Sequence, residues 1–154
     1  MPALIRKLAT VVKNLALGPR LGDHNLRVGR EYIERNRGRP GVHTTRSGLQ
    51  YEVLREGDGG PRPSFSSRVR VHYTGTLVDG TPFDSSYRRG EPLSIGLLEV
   101  ISGWREGIRL MSVGSRYRFV IPPDLAYYDR RAGWLIGPSA TLVFEVELLA
   151  IETP

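Results

Sequence analysis

The chain has 154 residues, of which 40% are apolar and 25% charged, and it contains 18 glycines, 11 prolines and no cysteine. This length allows one globular domain with its own core plus an appendage. The lack of cysteine excludes disulfides, thiolate nucleophiles and cysteine-bound metals, and no apolar run approaches the roughly 18 to 20 residues of a transmembrane helix.

The net charge of +6 is concentrated at one end of the chain. Residues 1–46 hold ten Lys and Arg against three Asp and Glu, whereas residues 47–154 hold twelve against thirteen. A basic segment can bind nucleic acid or acidic surfaces, but this one lacks the interleaved aromatics of a base-stacking surface. We therefore interpret it as a solvated helical segment and expect no specific nucleic acid partner.

The first helix is predicted from apolar residues that recur every three or four positions between Leu4 and Ala16, which is typical of one helix face. The Gly18-Pro19 pair ends it. The apolar face could dock on its own domain, on a second copy or on an anionic membrane surface, and the sequence leaves all three open. Because Lys13 and Asn14 interrupt the apolar stretch, we expect no cleaved signal peptide and a cytoplasmic chain, with a periplasmic one as the alternative.

A second helix is predicted from about Asp23 to Arg37. Asp23 or Asn25 is the candidate N-terminal cap, because short polar side chains accept hydrogen bonds from free backbone N–H groups. Gly38 is the predicted stop. Residues 41–47 are predicted to be a linker.

From residue 48 the sequence changes from helical to alternating periodicity. The alternating apolar positions are Leu49, Tyr51, Val53, Val69, Val71, Tyr73, Tyr117, Phe119, Ile121, Leu142, Phe144, Val146 and Leu148. This alternation predicts antiparallel strands with one buried face. It places Tyr73 inward and His72 outward.

The remaining elements complete an α+β prediction. Asp79-Gly80 has the composition of a tight turn, and residues 103–110 predict the one short helix of the domain, starting around Trp104. Residues 47–154 are predicted to form a curled antiparallel sheet of about five strands wrapped over that helix. Residues 1–46 form a separate helical segment in front of it.

Conventional catalytic motifs are missing from the sequence. His24, His43 and His72 share no metal-ligand spacing, and there is no G-x-S-x-G elbow, Walker loop or dinucleotide-binding glycine motif. Hydrolase and nucleotide-dependent functions lose their support. We expect neither a metal nor a cofactor.

Four runs of the sequence carry a family resemblance: VHYTGTLVDGTPFDSSYRRGEP, EVISGWREGIRLMSVGSR, IPPDLAYY and ATLVFEVELL. In order and spacing they resemble signatures of the FK506-binding (FKBP-type) peptidyl-prolyl cis/trans isomerases. The upstream run VGREYIERNRGRPGVHTTRSGLQYEVLREG is similar to the bacterial macrophage infectivity potentiator and FkpA-like branch. That branch implies a homodimer formed through the N-terminal helices.

The resemblance also implies a site. In it, the indole of Trp104 forms the floor of a prolyl pocket, and the Ile101 backbone N–H and the Tyr127 hydroxyl bind substrate carbonyls. The implied catalytic residues are Tyr73, Asp84, Ile101, Trp104 and Tyr127, and the implied substrate-binding residues are Phe83, Val100, Ile136 and Phe144.

The function implied by the resemblance is isomerisation of X-Pro bonds in polypeptides during protein folding, without a covalent intermediate. Macrolides of the FK506 and rapamycin class are implied inhibitors. The alternative is a proline-binding module or holdase chaperone with weak or no turnover.

Several residues depart from the family pattern. Tyr128 replaces a usual glycine, Gly137 replaces the first of a common Pro-Pro pair, and Trp134 is unusually bulky. Leu93 and Ile95 stand where an aromatic is often found. These changes alter the rim of the pocket and bear on turnover and macrolide affinity.

Overall fold

Two consecutive helices open the chain in the computed structural model, which describes residues 2–152. Helix α1 spans Ala3–Leu17 and α2 spans Leu21–Arg37, with one 3-10 turn between them. The Gly18 stop is confirmed, since α1 ends there with φ of 49°, a conformation that favours glycine. The stop at Gly38 is also confirmed.

The caps predicted at Asp23 or Asn25 are wrong. Helix α2 already begins at Leu21, and Asp23 lies within its first turn. Arg20, at the end of the 3-10 turn, has helical backbone angles. Because the turn leads directly into α2, no residue there needs the extended conformation of a capping side chain.

A seven-stranded antiparallel sheet and two further helices follow within the described residues. The strands are β1 Val42–Thr44, β2 Gln50–Arg55, β3 Arg68–Leu77, β4 Pro82–Ser85, β5 Leu93–Gly96, β6 Arg116–Ile121 and β7 Leu142–Glu152, and the helices are α3 Ser86–Arg89 and α4 Ser102–Ile108. The strand order is β1-β2-β6-β7-β3-β4, with β5 beside β4 on the same edge of β3.

The α+β class is confirmed, with two more strands than the expected five or so. Strands β1, β4 and β5 have only three or four residues, too few for alternation to identify them. Strand β1 also lies inside the predicted linker and pairs with β2. The one-turn helix α3 was not expected beside α4, the predicted short helix.

The core lies between α4 and the inner face of the sheet. The predicted alternation holds on β3, where Val69, Val71 and Tyr73 are buried, while His72 points to the other face and stacks on Tyr87. The sheet also buries the predicted apolar residues of β6 and β7, which are Tyr117, Phe119, Ile121, Leu142, Phe144, Val146 and Leu148.

Helix α2 covers the opposite face of the sheet. Gln50 of β2 lies on the face of the sheet away from the core, and yet it is fully buried. Its side chain accepts a hydrogen bond from Asn36 at 2.8 Å and donates one to the Ile33 carbonyl at 3.0 Å. Arg118 of β6 donates to both Asn36 and Tyr32. These polar contacts tie the N-terminal segment to the sheet.

Helix α1 docks on the domain through its polar side. The hydroxyls of Thr10 and Thr81 lie 2.8 Å apart, and Arg6 donates to the Asp79 carbonyl at 2.7 Å. Lys13 pairs with the Asp79 carboxylate at 3.7 Å. The apolar side therefore faces away from the domain. None of the helices in residues 2–152 has the length and apolarity to cross a membrane.

Candidate active site

All nine residues implied by the resemblance line one cavity of about 590 Å³. They come from β3, β4, β7, the start of α4 and the loops around residues 100, 127 and 136. The cavity wall also includes four residues outside that set, which are Ile95, Glu99, Ala126 and Arg130.

Aromatic rings meet edge to face at the inner end of the cavity. The Trp104 ring lies 4.9 Å from that of Tyr73 and 5.2 Å from that of Phe144, at interplanar angles of 83° and 81°. Phe83 meets Phe144 at 5.4 Å and 86°. Such edge-to-face pairs are favourable because the positive edge of one ring contacts the negative face of the next. Trp104, Tyr73 and Phe144 are buried, so this surface is apolar and rigidly packed.

A polar corner adjoins the rings. The Tyr73 hydroxyl donates to the Asp84 carboxylate at 2.5 Å. Burial raises the pKa of Tyr73 above 10.0, and the bond to Asp84 adds to that rise. The hydroxyl therefore stays protonated through neutral pH, and its contribution to stability is lost only as the pH rises through the folded-state pKa.

Arg89 completes the polar corner and was missed from the sequence. It donates to the Tyr73 hydroxyl at 2.9 Å and to the Asp84 carboxylate. It stands on α3, which Ser85 caps by accepting from Arg88 and which Gly90 ends in the left-handed conformation. This serine-to-glycine spacing is a helix signal that could have placed Arg89 one turn beyond Asp84.

The loop before α4 carries Val100 and Ile101. Arg105 holds this loop by donating to the Leu97 carbonyl at 2.9 Å and to the Val100 carbonyl at 3.3 Å. The Ile101 carbonyl accepts from the backbone N–H of Trp104. Within residues 2–152 the Ile101 N–H itself makes no hydrogen bond. It is available as a donor beside the cavity.

The segment 127–139 forms the opposite rim. Tyr127 is partly exposed, whereas Ile136 is buried against the core. Tyr128 takes the left-handed conformation, with φ of 57°, at the position where the resemblance leads one to expect glycine. The Tyr128 N–H donates to Pro123 and its carbonyl accepts from Ser139, so hydrogen bonds hold this unusual conformation. Trp134 is 80% exposed and does not line the cavity.

In residues 2–152, no three His, Asp or Glu side chains are grouped closely enough to hold an ion.

The domain has an α+β fold, in which an antiparallel sheet wraps around the short helix α4 and an aromatic cavity lies at the start of that helix. Known proteins have domains of this class. Residues 60–149 match the family described as FKBP-type peptidyl-prolyl cis-trans isomerase, and residues 7–53 match the domain amino terminal to it. The chain belongs to the FKBP-type peptidyl-prolyl cis-trans isomerase family.

Individual relatives agree with that assignment. The FKBP-type peptidyl-prolyl cis-trans isomerase FkpA of Aeromonas hydrophila is 52% identical over 130 residues, covering 84% of this chain and 48% of that protein. The outer membrane protein MIP of Legionella longbeachae is 40% identical over 130 residues, covering 84% and 55%. The crystal structure of FkpA from Escherichia coli superimposes with a TM-score of 0.83 at 44% identity, covering 86% of this chain and 62% of that one. This chain thus spans about half the length of these curated relatives.

Replacement of Tyr128 by glycine tests the backbone strain at the rim. A left-handed conformation costs a non-glycine residue roughly 1 to 2 kcal/mol, partly offset by the entropy that glycine loses on folding. We expect Tyr128→Gly to raise the free energy of unfolding by up to about 1 kcal/mol, measured by urea denaturation. Tyr128→Phe, which keeps the ring and the strain, is the control and should match the wild type. A Tyr128→Gly protein less stable than Tyr128→Phe would show that ring contacts outweigh the strain.

Proposed function

We propose that the chain accelerates cis/trans isomerisation of X-Pro bonds in polypeptides, as a catalyst of protein folding. The main support is that nine residues from separate parts of the sequence meet around one cavity with an aromatic floor. The family assignment supports the same reaction. As a working division, residues 1–46 serve docking or dimerisation and residues 47–154 serve binding and turnover.

The chemistry of the reaction suits such a cavity. Rotation about an X-Pro bond faces a barrier of roughly 18 to 20 kcal/mol because the planar amide has partial double-bond character. No covalent bond is made or broken, so neither a nucleophile nor a general base is required. Catalysis needs only interactions that are stronger with the twisted amide than with either planar isomer.

The residues divide these tasks between them. The Trp104 indole receives the prolyl ring, and the Phe83, Val100, Ile136 and Phe144 side chains enclose it. An apolar enclosure favours the twisted amide, which has lost its resonance and is less dipolar than the planar form. The Ile101 N–H and the Tyr127 hydroxyl bind carbonyls on either side of the proline, and Tyr73 with Asp84 forms the polar edge.

A proline-binding module or holdase is the second candidate. Tyr128 and Trp134 depart from the family pattern at the rim, and a cavity can bind proline without accelerating its rotation. Binding of an X-Pro peptide without rate acceleration would be the signature of this function.

Removing the Tyr127 hydroxyl tests the isomerase directly. One transition-state hydrogen bond contributes about 0.5 to 1.5 kcal/mol, so Tyr127→Phe should lower kcat/KM by roughly 2- to 12-fold. Trp104→Ala should abolish most of the activity. Both are measured by exchange NMR or a protease-coupled assay on a short X-Pro peptide.

The control is Phe65→Ala, which removes an exposed aromatic outside the cavity and should leave the rate unchanged. Circular dichroism checks that each variant is folded. A folded wild type without acceleration would refute the isomerase and leave the binding module.

We further propose that an FK506-class macrolide competes with the peptide for this cavity. Unchanged isomerisation rates at saturating macrolide would exclude this competition.

We also propose a homodimer through α1. Its five large exposed apolar residues are Leu4, Ile5, Leu8, Val12 and Leu15, between 52% and 71% exposed. They share the side of α1 opposite the contacts with Asp79 and Thr81. A membrane surface suits this face less well, because Arg6 and Lys13, two of the cations of α1, are engaged with Asp79. A second copy would bury the apolar stripe as in a helix pair.

A charge in the stripe should break the dimer. We expect the wild type to sediment as a dimer and Leu8→Glu as a monomer, because an unpaired carboxylate is costly to bury. Lys7→Gln, on the same helix but outside the stripe, should stay dimeric. A monomeric wild type at high micromolar concentration, or a dimeric Leu8→Glu, would contradict the proposal.

For cellular location we propose the periplasmic alternative over the expected cytoplasm. The support is that the Legionella longbeachae relative is named an outer membrane protein. Lys13 and Asn14, on which the cytoplasmic expectation relied, contact Asp79 and the Leu135 carbonyl, so their presence follows from docking of α1. Recovery of the protein with cytoplasmic markers after osmotic shock would refute this.

A further inference from the structure

We propose that helices α1 and α2 hold the rim segment 132–139 in place and thereby set the position of Ile136 over the cavity, with Asn14 and Asn25 as positioning residues. The inference rests on the proposed isomerase function. It assigns the N-terminal segment a part in shaping the site that is independent of any dimer.

Two side-chain amides reach the rim from the helices. Asn14 of α1 donates to the Leu135 carbonyl at 3.3 Å, and Asn25 of α2 donates to the Pro138 carbonyl at 3.0 Å. The two acceptors bracket Ile136, one residue before it and two after it. Asn14 is buried, with 6% exposure. A buried amide without a partner is costly, so these contacts give each helix a preferred fit against the rim.

Close packing reinforces the hydrogen bonds. A Cβ atom at Gly137 would lie 2.7 Å from Leu21 Cδ2 and 3.0 Å from Asn25 Nδ2, which leaves no space for a larger residue. Leu21 is fully buried. Close packing of α2 against this position thus explains why Gly137 replaces the first proline of the family's Pro-Pro pair.

The contact continues beyond the rim segment. A Cβ atom at Gly29 would lie 2.4 Å from Thr141 Oγ1, so α2 lies directly against the first residues that lead into β7. The helices thus contact the rim at Leu135, Gly137 and Pro138, and the chain just beyond it at Thr141.

The hydrogen bonds within the rim are few, so this bracing matters. The backbone N–H of Ala132 donates to Ile136 at 2.9 Å, and that of Ser139 donates to Tyr128 at 2.7 Å. The exposed Trp134 side chain adds little packing. A rim that is already ordered loses little conformational entropy when substrate binds. Preorganisation of this kind improves binding and the geometry of the bound peptide.

The test uses the full chain with Asn25→Ala and Asn25→Asp, which both remove the donor to Pro138. Arg27→Ala is the matched control, because Arg27 is an exposed residue of the same helix whose bonds are to His24 and Glu31. Amide hydrogen exchange of residues 132–139 and separate kcat and KM values on an X-Pro peptide are measured for each.

We expect exchange of the rim amides to rise roughly 3- to 10-fold in both Asn25 variants. Amides of β3 and β7 should be unchanged, and kcat/KM should fall by a similar factor. The control should match the wild type in all respects. Unchanged rim exchange, or faster rim exchange with unchanged kinetics, would overturn the inference. An inactive wild type would instead refute the isomerase, and the exchange data would still report whether the helices hold the rim.

Discussion

The close approach of α4 to β6 is the contact on which the cavity depends. Cβ atoms at Gly103 and Gly107 would lie 2.5 Å from the Ile121 and Phe119 side chains, so only glycine lets the helix pack so near the sheet. This approach brings Trp104, at the start of α4, against Tyr73 and Phe144. A helix held farther out would separate the indole from both rings and open the apolar floor to water.

The reaction proposed for this floor is unusual for an enzyme because it needs no reactive group. The polar corner of Tyr73, Asp84 and Arg89 satisfies its own hydrogen bonds, and the raised pKa of Tyr73 keeps its hydroxyl neutral. In the proposed site, a substrate meets apolar surface, the Ile101 N–H and Tyr127 hydroxyl as donors, and the Glu99 and Arg130 side chains of the cavity wall. Such a site can discriminate a twisted from a planar amide through burial and geometry alone.

The two sides of helix α1 make different contacts. Its polar side contacts the domain at Thr81 and the rim at Leu135, and its apolar side is exposed. This reverses the usual arrangement of an amphipathic helix on a globular domain. If α1 pairs with a second copy, the same helix contacts both the partner and the rim of its own cavity, so pairing would restrain the rim as well.

The sequence alone was enough to predict the period-two strands, the short helix at Trp104 and, through four motifs in family order, nine of the residues that line the cavity. These signals are local, because alternation, turn residues and motif spacing are read along the chain. Only the tertiary structure decided which side of α1 docks, why Gln50 is buried, and that Gly137 packs against Leu21. Each of these depends on a partner distant in sequence, and hydrogen bonds between buried polar groups leave no periodic pattern in the chain.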